Sequence, residues 1–339
     1  MVATGGTIAS MPAEDGLTPA LTGEELARFV PEAADLCDLD VVQPMNVDST
    51  NMRPQDWLVI AREIRRAYDA YDGFVVLHGT DTMGYTAAAL SYLIQGSPKP
   101  IVLTGSQRPM ADPFTDGKIN LYDALLYVTS PGSRDVSVVF GGSVIAGTRA
   151  HKQRTMSFDA FESVNFPRIA VVRNRRVIQH GGAGMPGATD ASGAAGASRD
   201  EPRWYDRVDA DVIALKLTPG LSPEILGMLR DRYRAVVLET FGIGGIPEYD
   251  DASWRRAIFD WLDAGRALVV TTQVAEEGLD LGVYEVGRAY SEHPGVLKGD
   301  DMTLEALVAK TMWALGQTHD ADELRDLFYR PVNFDRLGA

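Results

Sequence analysis

Phe74-Val75-Val76-Leu77-His78-Gly79-Thr80-Asp81-Thr82-Met83 is the stretch that decides the fold of this chain. Four apolar residues in a row, with Val75 and Val76 β-branched, read as a short strand buried on both faces. Glycine follows, then hydroxyl and carboxylate groups, then a helical pattern from Met83. A buried strand running through a tight turn into a helix is a building unit of an open α/β sheet. In such sheets ligands bind at the carboxyl ends of the strands, which is where Thr80 falls. Ala3-Thr4-Gly5-Gly6-Thr7-Ile8-Ala9-Ser10 has the same layout and puts Thr7 in the equivalent place. Two such hydroxyls, one beside a carboxylate, point to a hydroxyl nucleophile acting on a small polar substrate.

Outward from these turns, strand-like runs recur at 100–104, 136–140, 170–172, 211–217, 235–239 and 267–272. Helical patterns lie between most of them, at 54–68, 83–94, 119–128, 223–233, 253–264 and 303–315. In 54–68 the apolar positions Trp57, Ile60, Ala61, Ile64 and Tyr68 follow helical spacing. This alternation predicts α/β architecture with a mostly parallel sheet and helices on both faces. Residues 181–203 are rich in glycine, alanine and serine, with almost no large apolar residue. Such a stretch buries little and reads as a linker or long surface loop. The expected organisation is a domain over 1–180, a linker over 181–206 and a second domain over 207–339. Met1-Val2-Ala3-Thr4 leaves only a stub before the first turn, where strands usually run to about five or six residues. That implies either a clipped start or an unusually short strand.

Composition narrows the function classes. Of 339 residues, 45% are hydrophobic and 23% charged, as in ordinary globular proteins. With 32 basic and 47 acidic residues the net charge is −15, which repels phosphate backbones and disfavours nucleic acid as a ligand. Cys37 is the only cysteine, so no intrachain disulfide forms, which fits a reducing compartment. No apolar run reaches the length of about 18 residues that a membrane span needs, and no signal peptide is recognised. His78, His151, His180, His293 and His319 are scattered, so no metal site is expected. Gly242-Ile243-Gly244-Gly245 lacks the dinucleotide spacing, and no phosphate-binding loop is present.

Each candidate residue has a plain structural reading beside the chemical one. The Gly5-Gly6 pair allows a tight turn and close backbone approach, and Thr7 is then a cap or a nucleophile with free N–H groups nearby. Thr82 stands where it would cap the helix from Met83. Asp81 is a capping acid favoured by the helix dipole, or a seat for a substrate ammonium. His78 reads as a buried, hydrogen-bonded histidine in preference to a general base. Lys152, in Gly147-Thr148-Arg149-Ala150-His151-Lys152-Gln153, is by sequence a surface lysine; in a closed site it would shuttle a proton. Asp48-Ser49-Thr50-Asn51-Met52 either caps the helix after Pro54 or supplies donors to a substrate carboxylate.

Taken together, these residues resemble the bacterial L-asparaginase family that uses threonine. The resemblance rests on Thr4-Gly5-Gly6-Thr7-Ile8, His78 to Met83, Thr104-Gly105-Ser106-Gln107-Arg108-Pro109, and Asp116-Gly117 with Asn120-Leu121. Arg149 to Lys152, Phe158-Asp159-Ala160-Phe161, Gly242-Ile243-Gly244 and the region from Pro294 to Thr303 resemble the cytoplasmic type I branch. The resemblance covers nearly the whole chain. It implies a larger amino-terminal α/β domain, a smaller carboxyl-terminal one, and a homo-oligomer, a dimer or a dimer of dimers, with sites at a subunit interface. It implies L-asparagine as a small-molecule substrate, no metal or organic cofactor, and a cytoplasmic location. By position, Thr7 is the implied nucleophile, with Thr80, Asp81 and Lys152 forming the second catalytic cluster. Asp48, Ser49 and Thr50 fall to substrate binding, the latter two holding the α-carboxylate and Asp81 the α-ammonium.

One departure stands out. The family's loop after the first turn usually carries a tyrosine that contacts the nucleophile. Here Leu17 falls near that place, and no tyrosine precedes Tyr68. Lys152 acting through Thr80, a loop carboxylate, or Tyr284 from a neighbouring subunit are the alternatives for activating Thr7. Met11 to Pro19 keeps the proline and glycine of a mobile lid. Glutamine is a rival substrate, since one methylene is worth only about 1–3 kcal/mol in a pocket. An amidase component feeding a tRNA-linked amidotransferase is less expected, because relatives of that sort carry an extra amino-terminal domain. An amino-acid-binding regulator with impaired catalysis is the reading from a different class.

Overall fold

The computed structural model describes residues 1–13, 16–180, 201–250, 252–282, 290 and 293–337, with 11–13 and 16–19 as backbone only. Residues 181–200 of the expected linker over 181–206, the loop carboxylates Glu14 and Asp15, and Tyr284 lie outside the described residues. The chain divides into two compact units. One is Met1–Asp206 with Pro331–Asp335, the other Arg207–Arg330 with Arg336–Ala339.

The first unit is built on a seven-stranded sheet: β1 (Val2–Ala3), β2 (Phe74–Leu77), β3 (Ile101–Thr104), β4 (Val136–Phe140), β5 (Ser143–Ala146), β6 (Ala170–Arg173) and β7 (Arg176–Gln179). The order across the sheet is the order in sequence. From β1 to β4 the neighbours run parallel. From β4 to β7 they run antiparallel. The sheet is therefore mixed. Gly141-Gly142, both with positive φ, let the chain reverse in two residues where a parallel strand would need a crossover.

β2 explains its own sequence. Its four residues are at most 4% exposed, because both faces of a central parallel strand are covered. Val75 and Leu77 join Ile8, Val102, Leu121, Leu125 and Val139 in one core. β1 is only two residues long, pairing Val2 with Val76 and Ala3 with Leu77. Its outer edge is not left open: Val2 bridges Val42 and Gly5 bridges Val47. The helix Pro54–Ala67 opens on proline at its first turn and buries Trp57, Ile60, Ala61 and Ile64, as the spacing predicts. The helix Met83–Leu93 is different, with every residue but Tyr85 buried. Its small residues at 84 and 87–89 allow close packing all round.

The second unit carries a four-stranded, all-parallel sheet in sequence order: β8 (Val212–Lys216), β9 (Ala235–Thr240), β10 (Ala267–Thr272) and β11 (Val296–Lys298). Val236, Leu238, Leu268 and Val270 pack with Trp254, Ile258 and Trp261 of the helix Trp254–Asp263. Trp261 satisfies its buried indole by donating to Ala267 O at 2.9 Å. Both units are α/β, as expected. Among the described residues no helix is long and apolar enough to cross a membrane.

Candidate active site

The carboxyl ends of β1, β2 and β3 converge. Thr4 ties the first turn to the end of β2 through its N–H and its hydroxyl, both donating to Leu77 O, at 3.0 and 2.8 Å. Gly6 then takes φ +83° and ψ −174°, a region open only to glycine. A Cβ on Gly6 would overlap the Gly79 Cα, so the two glycine turns meet backbone to backbone. Thr7 follows Gly6 and Thr80 follows Gly79, so this contact sets the two threonine turns side by side. Thr7 opens a single 3-10 turn over Thr7–Ala9 and is half-buried. Its hydroxyl makes no hydrogen bond among the described residues.

The second turn carries a tight polar cluster. Lys152 Nζ donates to Thr80 Oγ1 at 2.7 Å and to Asp81 Oδ1 at 2.6 Å. Thr80 is buried, and its hydroxyl donates in turn to Gln107 Oε1 at 3.2 Å. Lys152 is reached through a short hairpin, Ala150–Lys152 against Phe161–Ser163, in which it pairs with Phe161. Its side chain is only 17% exposed, so it is not the surface lysine that its sequence context suggests. Gln107 is itself fixed at its backbone N–H and at both ends of its side-chain amide. Its N–H donates to the buried Asp116 carboxylate, and its Nε2 donates to Ser157 O at 3.2 Å and Arg154 O at 3.4 Å. Those carbonyls accept only, so the amide oxygen must be the atom facing Thr80. Sequence reasoning assigned no role to Gln107; its contact with Thr80 spans 27 residues and has no local signal.

Asp81 is 54% exposed at its side chain and is paired with Lys152. The capping expectation for Thr82 is corrected. Thr82 sits at the cap position of the helix Met83–Leu93 but its side chain makes no capping bond there. Its hydroxyl donates instead to Ser49 O at 2.8 Å, because the 49–51 turn packs directly on it. Asp48, Ser49 and Thr50 likewise do not cap the helix after Pro54, whose cap position is Arg53. Asp48 Oδ1 accepts from Thr50 N and Thr50 Oγ1, both at 2.9 Å, which fixes the Ser49–Asn51 turn. Ser49 is buried directly beneath Gly79.

Gly79 has ordinary backbone angles, so space alone excludes a side chain there. A Cβ would lie 2.5 Å from Ser49 Oγ and 2.7 Å from Ser49 Cβ. Gly79→Ala is expected to cost about 1–3 kcal/mol of stability through overpacking. Scanning calorimetry checks it: an unchanged Tm would mean that the Ser49 turn yields freely.

His78 follows the structural reading. It is fully buried, with Nδ1 2.7 Å from Gly79 O and Nε2 2.9 Å from Thr86 Oγ1. A carbonyl only accepts, so Nδ1 carries the proton and Nε2 accepts from Thr86. No lone pair is left for base chemistry. Burial lowers its pKa from 6.5 to about 4, opposed by the bond to Gly79. A depressed folded pKa gives stability that is present above pH 6.5 and lost as pH falls toward 4. The gap corresponds to roughly 3 kcal/mol. His78→Gln should therefore show a shallower fall in Tm between pH 7 and pH 4 than the parent protein. Identical slopes would remove His78 from acid unfolding.

Among the described residues no three His, Cys, Asp or Glu side chains are grouped to hold a metal ion. The fold and the cluster define a class: a two-unit α/β protein with a threonine–aspartate–lysine group at the carboxyl ends of parallel strands. Residues 1–182 match the family described as Asparaginase, N-terminal, and residues 211–328 match the Glutaminase/Asparaginase C-terminal domain. The chain belongs to the asparaginase family. It is 36% identical over 341 residues to the L-asparaginase of Thermococcus kodakarensis, covering 100% of this chain and 99% of that one. It is 33% identical over 331 residues to L-asparaginase 1 of Escherichia coli, covering 95% and 93%. It is 34% identical over 337 residues to a component of the Glutamyl-tRNA(Gln) amidotransferase of Pyrococcus abyssi, covering 96% and 74%. The solved structure of the Thermococcus kodakarensis L-asparaginase superposes with a TM-score of 0.87, covering 100% of this chain and 98% of that one.

Proposed function

We propose that the protein is an L-asparagine amidohydrolase that releases L-aspartate and ammonia through a threonyl ester on Thr7. Full-length similarity to proteins named L-asparaginase supports the activity. The observation that carries the residue assignment is Lys152 bonded at once to Thr80 and Asp81, beside a glycine contact that adjoins the Thr7 turn.

In this reading Thr7 Oγ1 attacks the side-chain amide carbon. The developing oxyanion is met by backbone N–H groups of the two turns, in a position made for it before the reaction starts. Lys152 gives one ammonium proton to the departing nitrogen and is reprotonated with the Thr7 proton through Thr80, the C–N bond breaks, and ammonia leaves. Water then adds to the ester and frees aspartate, restoring the Thr7 hydroxyl. Lys152 adds positive charge beside the oxyanion. Asp81 seats the substrate ammonium, and Ser49 and Thr50 face its carboxylate, so opposite charges orient the amide. A cytoplasmic location and assembly as a dimer or dimer of dimers belong to the same reading, the first resting on the single cysteine Cys37.

Ammonia release by the purified protein, with L-asparagine and L-glutamine assayed in parallel, tests the proposal. Asparagine is expected to be turned over, with the larger kcat/KM. Release from neither amide by a folded protein would refute the activity and favour the binding-protein reading.

A further inference from the structure

An open cavity of about 720 Å³ lies on the first unit, and Thr7, Thr80, Asp81 and Lys152 are not among its lining residues. Its walls include the two turns that join β4 to β5 and β6 to β7, and one face of the helix Gly117–Val128. β4 and β6 point the same way, so both turns lie at one end of the sheet.

Asp123 stands in this wall. It is only 7% exposed, yet its carboxylate makes no hydrogen bond or ion pair among the described residues. Its oxygens open only into the cavity, so the carboxylate is held by no donor of the fold while burial still strips part of its hydration. The nearby Arg173 does not close on it. Its Nη1 donates instead to Gly142 O at 3.0 Å and Val172 O at 2.7 Å. Burial pushes the Asp123 pKa up to about 6, against the pull of that guanidinium.

Two cations stand elsewhere in the lining, each over an aromatic ring. Arg175 lies 5.7 Å from the Tyr122 centroid and Lys118 lies 5.6 Å from the Phe29 centroid. Arg175 holds φ +57°, a left-handed conformation that a non-glycine residue adopts at some cost. Both side chains are exposed. Glu32 and Arg173 also line the cavity, both exposed, so sheltered Asp123 stands among three exposed cations and one exposed carboxylate, at a volume suited to a small molecule.

We propose that this cavity is a second ligand site, taking a small zwitterion whose primary ammonium seats on Asp123 and whose anionic end meets Lys118 and Arg175. An ammonium brings three donors to a carboxylate that has none. The site is independent of amide hydrolysis and stands or falls apart from it.

Calorimetric titration with 5-aminovalerate, with the catalytic site saturated by L-aspartate, tests the proposal. 5-Aminovalerate is expected to bind at least tenfold tighter than either pentylamine or valerate. Asp123→Asn should lose that binding at least tenfold, keep an equal or higher Tm, and hydrolyse asparagine at the parent rate. Arg175→Ala should weaken 5-aminovalerate while leaving pentylamine unchanged. No binding of 5-aminovalerate, or equal binding by Asp123→Asn, overturns the proposal. So does a clearly lower Tm in Asp123→Asn, because it would make the carboxylate a partner within the fold.

Discussion

Thr7→Ala is expected to fold normally and to lose asparagine turnover by about ten-thousandfold to a millionfold. The fold does not need the side chain: the turn is held by Gly6 N to Val47 O at 2.9 Å, Ala9 N to Gly6 O at 3.0 Å and Ser10 Oγ to Gly6 O at 3.0 Å. The Thr7 hydroxyl has no hydrogen-bond partner among the described residues, so its removal strands nothing. The chemistry does need it, because without the threonyl ester water must attack the amide directly, and the division into two easier steps is lost. Circular dichroism and Tm should match the parent while ammonia release vanishes. Rapid-quench mass measurement should find an acylated chain in the parent only. A folded variant that keeps more than about a hundredth of the parent rate would remove Thr7 as nucleophile.

How much of this was legible depends on where the signal lies along the chain. β2 could be read directly, since four consecutive apolar residues ending at His78-Gly79 admit few other folds. The helix Pro54–Ala67 was equally clear, because its burial pattern and its sequence spacing are the same fact. The hairpin Ala150–Lys152 with Phe161–Ser163 was not legible. Three-residue strands have too few positions to show a period of two. That hairpin turns Lys152 inward, so the residues alone read as a surface lysine and only the family resemblance gave it a catalytic role. The stretch after Ser10 was expected as a loop and instead pairs its backbone, Ser10–Ala13 with Gly16–Pro19. Thr82 was misread for a physical reason: a capping bond is local, but Ser49 O lies closer to hand through tertiary packing. Gln107 sat inside a quoted motif with no role attached, because its partner Thr80 is brought to it only by the parallel pairing of β2 with β3.

Lys152→Met should cost about a hundredfold to ten-thousandfold in kcat with little effect on stability. Methionine keeps most of the length and apolar stem of lysine but removes the ammonium. The stability effect is small because Asp81 is 54% exposed, and a pair so open to water is worth about 0.2–1 kcal/mol. The rate effect is large for a separate reason. Thr80 is buried, and it accepts from Lys152 Nζ while donating to Gln107 Oε1, so the lysine fixes which way the threonine proton points. Without that donor the hydroxyl can rotate, and the positive charge beside the developing oxyanion is gone. Asp81 remains to seat the substrate ammonium, so KM should change far less than kcat. Thr80→Val should match it, since it breaks the same chain at the next link, and the double variant should be no worse than either single one. Steady-state kinetics on the three proteins decide the matter. Additive losses would mean that Lys152 and Thr80 act separately, and a loss confined to KM would make Lys152 a binding residue.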